Sequence, residues 1–199
     1  MKRFLILLIL FFSYASYSQT AKEYFYSGLE KGDNGDYYNA IADFNKSIEL
    51  DPRSITYYNR GIAKKKLKDY YGAIADYNKA IEIDPNDADA YNNRGNAKRD
   101  LEKYYEAIVD FNKAIELDPN DAVAYSNRGV TKNDLKDYYG AIADFTKSIE
   151  LKPDDAVAYS NRGISKENLG DLDGACSDWR KAANLGHTNA KKWVANNCN

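Results

Sequence analysis

Residues 88–121 read ADAYNNRGNAKRDLEKYYEAIVDFNKAIELDPND, and two helices are written in that stretch. Asp87, just before it, is a good N-cap because its carboxylate accepts bonds from the unpaired amides of a first turn. Tyr91, Gly95, Ala97 and Leu101 then recur at helical spacing down to a turn at Glu102 and Lys103. A second helix opens near Tyr104 and carries Ala107, Ile108, Phe111, Ala114, Ile115 and Leu117. Pro119 ends it, since the residue before a proline is pushed out of helical backbone geometry.

The same phrase recurs on both sides. Gly61, Gly95, Gly129 and Gly163 fall at intervals of 34, as do Ala73, Ala107, Ala141 and Ala175, followed by Pro85, Pro119 and Pro153. Five copies run from about Ala21 to Asn189, at roughly 21–53, 54–87, 88–121, 122–155 and 156–189. A period in this range marks a stacked array rather than one closed core, so the expected fold is an all-α solenoid of helix-turn-helix units. The glycine and alanine columns stay small because larger side chains would hold crossing helices apart. Phe44, Tyr77, Phe111, Phe145 and Trp179 fill the space that remains. After the fifth copy, residues 190–197 read as the first helix of an unfinished sixth, a polar cap for the last apolar face.

These columns resemble the tetratricopeptide repeat. The match runs from Ala21 to Asn189: an aromatic early in helix A (Tyr24, Tyr57, Tyr91, Tyr125, Tyr159), then the glycine, then Tyr37, Tyr70, Tyr104 and Tyr138 opening helix B. The resemblance implies a right-handed superhelix whose A helices line a concave, peptide-binding groove. Departures are visible. Repeat two lacks one residue after Pro52, and Lys31, Lys64, Lys98, Lys132 and Lys166 stand where the family often has tyrosine. His187 replaces the closing proline of repeat five.

The N-terminus is of another kind. Lys2 and Arg3 precede an apolar run from Phe4 to Phe12, and small and polar residues follow from Ser13 to Thr20. That is the layout of a secretory signal peptide over residues 1–18, with Gln19 as the first mature residue. The run is shorter than the about 20 residues a membrane span requires. The expectation is an exported protein, periplasmic or secreted, of a Gram-negative-type bacterium, with no stable membrane insertion after cleavage. Across the chain 28 basic residues face 30 acidic ones, a net charge of -2, with no clustered basic excess for nucleic acid.

Four arginines (Arg60, Arg94, Arg128, Arg162) precede the glycines, and five aspartates (Asp43, Asp76, Asp110, Asp144, Asp178) precede the helix B aromatics; repeat one has Ser27 in the arginine column. This mismatch suggests an inter-repeat ladder, Asp43–Arg60, Asp76–Arg94, Asp110–Arg128 and Asp144–Arg162. Asp178 would then face the cap helix near Lys191 or Lys192. Such pairs fix register more than they add stability.

Asn59, Asn93, Asn127 and Asn161 precede those arginines, and an amide offers both donor and acceptor to a peptide backbone. Tyr-Ser-Asn-Arg at Tyr125 and Tyr159 resembles the helix A signature of chaperone-binding tetratricopeptide domains, although cytosolic chaperone tails are absent from an exported compartment. The remaining groove candidates are Tyr58, Ile62, Lys65 and Lys66 in repeat two, Asn92, Asn96 and Arg99 in repeat three, and Val130 and Ile164 beyond. An acidic portion of a bound peptide is expected near Lys65, Lys66 and Arg99. Cys176 and Cys198 are the only cysteines, and an even count in an exported chain points to a disulfide. His187, the only histidine, makes with them no recognised metal-ligand spacing.

No nucleophile is placed beside His187 by sequence, and no phosphate loop follows a strand. Neither a catalytic residue, a cofactor nor a metal is expected, and the chain does not read as an enzyme. It reads as a binder of a protein or peptide partner. The alternatives are a structural subunit of an envelope complex that assembles through its ends or tyrosines, and a non-catalytic accessory to an enzyme.

Overall fold

The computed structural model describes residues 20–198, so the expected signal peptide lies outside the described residues. All regular structure among the described residues is helical. Helix α1 covers 20–33, followed by α2 (Tyr37–Leu50), α3 (Ser54–Lys66), α4 (Tyr70–Ile83) and α5 (Ala88–Asp100). Then come α6 (Tyr104–Leu117), α7 (Ala122–Asp134), α8 (Tyr138–Leu151), α9 (Ala156–Asn168), α10 (Leu172–Asn184) and α11 (Thr188–Asn197). Odd-numbered helices are the A helices of the repeats and even-numbered ones the B helices. None of these helices is long and apolar enough to cross a membrane.

The chain divides into two compact units, one up to Ala97 and one from Lys98 onward. In the first, α3 packs against both α2 and α4; in the second, each helix from α6 to α11 packs against the next, and α7 also touches α9. Local chemistry sets the ends of these elements. Asp36, Asp69, Asp137 and Asp171 cap four of the five B helices, each accepting a bond from the amide three residues on, while α6 has Lys103 at that position and no side-chain cap. The turn before each cap needs a residue of positive φ, which Gly35 and Gly170 supply freely and Lys68, Glu102 and Lys136 supply at φ near 60°. His187 caps α11, its Nδ1 accepting from the Ala190 amide at 3.2 Å.

Packing explains the glycine column. A Cβ on Gly61 would come within 2.7 Å of the Tyr77 ring, and one on Gly129 within 2.9 Å of Phe145. In repeats one, two, four and five the aromatic ring thus lies directly on its own glycine. Phe111, Phe145, Tyr77 and Trp179 are among the largest fully buried side chains. At the C-terminal end Trp193 of α11 packs on Trp179 with ring centroids 5.5 Å apart. Cys176 of α10 forms a disulfide with Cys198, which ends α11. The cap is therefore both packed on and bonded to repeat five.

The inter-repeat ladder is not what forms. Arg60 binds Asp76, Arg128 binds Asp144 and Arg162 binds Asp178, each through two parallel bonds of 2.5–2.9 Å inside one repeat. A lysine one turn further along the A helix reaches the same carboxylate: Lys64 to Asp76, Lys132 to Asp144 and Lys166 to Asp178, at 2.7–2.8 Å. Lys98 likewise meets Asp110 at 2.9 Å. Asp178 accordingly lies against Arg162 and Lys166, not against Lys191 or Lys192. Asp43, which needs an arginine in the ladder, is satisfied by Ser27 at 2.6 Å and by Lys31. Those two bonds outweigh the opposing effect of burial, the largest single influence, and hold the Asp43 carboxyl below its ordinary value.

The link between neighbouring repeats comes from the other arm of the arginine. Arg60 donates to Asn45, Arg94 to Asn78 and Arg128 to Asn112 at 2.6–2.7 Å, and Arg162 to Thr146 at 3.1 Å. Each guanidinium also rests on a tyrosine one turn earlier, 5.2–5.6 Å from the ring centre.

Candidate protein-interaction site

Helix α3 aligns four of the expected contact residues. Tyr58, Ile62, Lys65 and Lys66 follow the i, i+4, i+7, i+8 spacing of one helix face. The Tyr58 hydroxyl accepts from Asn93 Nδ2 at 3.0 Å, tying α3 to α5 on that face. Burial, and to a lesser degree the nearby Asp89 and Asp87 charges, pushes the Tyr58 phenol up to about 12. Asn93 Nδ2 also donates to the Asp89 carbonyl, and Asn59 Nδ2 to the Ile55 carbonyl at 2.8 Å. These bonds fix the amide planes, and part of the donor capacity expected for a peptide backbone is already engaged within the helix.

Two cavities open on this face of the first unit. The first, about 300 Å³, lies over Leu29 and Ile62 beside Gly32, with Asp33, Asn59 and Lys66 among its lining residues. The second, about 270 Å³, is lined by Ile62, Lys65, Lys66, Tyr77 and Asn93. Ile62, Lys65, Lys66 and Asn93 are thus brought together as one lining. Tyr77 is fully buried and its hydroxyl has no hydrogen-bond partner among the described residues. An unmet buried hydroxyl costs about 1–3 kcal/mol.

Other expected contact residues are placed differently. Asn92 and Asn96 are buried, at 6% and 9% exposure. Asn96 stands in a column otherwise held by Leu29, Ile62, Val130 and Ile164, and its Oδ1 has no partner among the described residues. Buried position removes both from the open face on which sequence spacing had put them. Arg99 falls in the second unit, 3.9 Å from Asp100 and beside Asp134, whose carboxyl is raised by burial and partly offset by Arg99. It is engaged with carboxylates of its own surroundings. Asn127, Val130, Asn161 and Ile164 are half-buried in the second unit, Ile164 against the Trp179 cluster.

Sequence reasoning passed over Leu29, Gly32 and Tyr77. The signals were present: Gly32 interrupts a column of Lys65, Arg99, Asn133 and Glu167, and Tyr77 adds a hydroxyl to a column of Phe44, Phe111 and Phe145. Among the described residues no group of three or more His, Cys, Asp or Glu side chains is arranged to hold a metal ion.

Paired helices repeated in register define a repeat-built module. The tetratricopeptide repeat model matches residues 24–54, 54–87, 88–121 and 122–155. The chain belongs to the tetratricopeptide repeat family, a family of protein–protein interaction modules, and no enzyme family is indicated. Among solved structures it is similar to the MamA protein, at 28% identity over 87% of this chain and 95% of that one, with a TM-score of 0.75. It shares the fold of PilF of Pseudomonas aeruginosa, at 20% identity over 90% of this chain and 82% of that one, with a TM-score of 0.80. The first tetratricopeptide domain of Spaghetti (RPAP3), bound to the HSP90 peptide SRMEEVD, aligns at 30% identity. That alignment covers 59% of this chain and 94% of the other, with a TM-score of 0.58. A search among curated protein sequences returned no match.

Proposed function

We propose that this chain is an exported interaction protein that captures a peptide or protein segment on the A-helix face of its first unit. The observation that carries the reading is the shared lining of Ile62, Lys65, Lys66 and Asn93 around one cavity. Helix backbone fixes where these side chains leave the chain, and the Tyr58–Asn93 bond holds the Asn93 amide, so the receptor backbone loses little ordering entropy when a segment docks. The ammonium groups of Lys65 and Lys66 favour an acidic portion of the partner. The likeness to a domain that holds an acidic peptide supports the same mode. Export is supported by the signal-like N-terminus and by the Cys176–Cys198 bridge, which suits an oxidising compartment.

In-compartment cross-linking with a Lys65→Glu/Lys66→Glu variant as control tests the reading. Partner adducts present with the native chain and lost with the variant support it; adducts of equal yield refute it. N-terminal sequencing of the chain recovered from the cells tests export, with Gln19 as the expected first residue.

A second reading, assembly into a larger envelope structure, draws on one observation. Tyr38, Tyr71, Tyr105 and Tyr139 occupy one position of successive B helices and are each at least 67% exposed. Concentration-dependent sedimentation that disappears on changing these four to serine would favour assembly over peptide capture.

A further inference from the structure

Three A helices, α3, α7 and α9, are gripped from two sides, by the B helix before them and by the B helix of their own repeat. Each is 13 residues long and buries two small side chains seven apart. These are Thr56 and Ala63, Ala124 and Thr131, and Ala158 and Ser165, none more than 3% exposed. Residues seven apart share one face of a helix. That face is turned to the preceding B helix, since Ala63 clusters with Ala40 and Phe44 of α2. Helix α1 has no described helix before it, and it carries Glu23 and Glu30 at the same two positions, both exposed.

Helix α11 sits on α10 as an A helix would, but incompletely. Ala190 lies three residues after its helix cap, as Ala158 does, and is buried against Ala175, Trp179 and Ala182. The second small residue is missing: seven residues on stands Asn197, which is exposed. The helix is 10 residues long, with no B helix after it among the described residues. In place of that second grip, the Cys176–Cys198 bridge ties it to α10. The cap thus fills part of a seat that fits a longer helix. Helices this short are marginal on their own in water, so once the bridge opens only the packing of Ala190, Trp193 and Val194 keeps α11 in place.

The bridge is more open to attack at Cys198, half-buried at the end of α11, than at Cys176, which is 5% exposed. One thiolate of a dithiol attacks Cys198 Sγ, and the electron pair of the S–S bond leaves on Cys176 Sγ, which takes a proton. The second thiol of the reductant then displaces Cys198 as a thiol and closes the reductant's own disulfide. Two electrons pass to the protein and the dithiol is oxidised.

We propose that the outer face of α10 is a reduction-gated docking site, at which a partner helix with two small residues seven apart replaces α11 once a dithiol opens the Cys176–Cys198 bridge. The partner is another protein and not α1 of a second copy, because Glu23 and Glu30 would bring two carboxylates into an apolar contact. This surface is separate from the α3 face and does not depend on peptide capture there.

Amide exchange and peptide binding on the purified chain, oxidised and reduced, test the proposal. The two cysteines are the only ones, so dithiothreitol acts at this bridge alone. The probe is a labelled peptide of residues 155–168, the α9 sequence with its Asp155 cap; a second peptide carries Ala158→Glu and Ser165→Glu, reproducing the charges of α1. Reduction should speed exchange in α11 about a hundredfold, the effect of opening a loop of this size. By fluorescence anisotropy the reduced chain should bind the first peptide about tenfold or more tighter than the oxidised chain does, because the closed cap competes for the seat. The second peptide should bind the reduced chain about tenfold more weakly than the first. Cys198→Ser should behave as the reduced chain without reductant, with exchange in α7 to α10 unchanged as the control for folding. Unchanged exchange in α11, equal binding to oxidised and reduced chains, equal binding of the two peptides, or no binding to a reduced chain whose α11 exchanges freely would each overturn the proposal.

Discussion

Replacing Asp178 with asparagine tests the pairing inside a repeat most directly. Asp178 is 4% exposed and accepts two bonds from Arg162, at 2.9 and 2.7 Å, and one from Lys166 at 2.8 Å. The amide keeps the shape but leaves two cations facing each other without their shared anion. Breaking a buried pair from one side costs about 3–5 kcal/mol. Arg162 and Lys166 retain 16% and 21% side-chain exposure and regain some water, which sets the expected loss near the lower end, about 3 kcal/mol. Trp179 and Trp193, the only tryptophans, sit in repeat five and its cap, so their emission during urea unfolding reads that end of the chain. A double-mutant cycle between Arg162→Met and Asp178→Asn should give a coupling of about 2 kcal/mol. The cycle between Arg162→Met and Asp144→Asn should give less than about 0.5 kcal/mol, because Asp144 is held by Arg128 and Lys132. A larger coupling across the repeats than within one would refute the pairing described above.

Glu102 holds φ at 60°, a geometry that glycine adopts freely at the equivalent Gly35 and Gly170, so Glu102→Gly should stabilise by about 0.5–1 kcal/mol and raise the melting temperature. Reducing the Cys176–Cys198 bridge, which closes a sequence separation of 22, should cost the cap about 3 kcal/mol and shift Trp193 emission toward that of exposed indole. The Tyr58 phenol ionises in the folded protein only near pH 12, against an ordinary value of 10.0. A raised folded value means its contribution is complete below pH 10 and is lost as pH climbs toward 12, so absorbance titration should show a phenol absent from Tyr58→Phe.

The fold was legible because packing writes it in columns. A glycine and the ring that covers it, such as Gly129 and Phe145, must change together or clash, and that requirement repeats with the period. The direction of the ion pairs was misread for an identifiable reason. Counting four arginines against five aspartates treats arginine as the only partner, whereas Arg60 and Lys64, four apart on α3, share a face and meet one carboxylate. Ser27 in the arginine column of repeat one then ceases to be a gap, because its hydroxyl and Lys31 hold Asp43. Helical spacing put Ile62, Lys65 and Lys66 on one face of α3, where they line one cavity, but it also nominated Asn92 and Asn96, which are buried. Spacing fixes the direction in which a side chain leaves its helix, not whether a neighbouring helix covers it. The cavities lie between successive A helices and the ring of the repeat, where packing rather than the recurring residues sets the space.

The self-contained charge triad bears on how such a chain can grow. Because Asp76, Asp144 and Asp178 each find a lysine and an arginine inside their own repeat, a duplicated gene segment of this kind brings a complete set of counter-ions with it. Insertion at a repeat boundary strands no carboxylate, and the arginine's remaining arm needs only an asparagine or threonine from whatever copy precedes it. Charges paired across the boundary would instead have to be re-matched at both ends of each new insertion. Length in this array is therefore a quantity that recombination can adjust in whole steps, while the first two copies keep the side chains that make them particular.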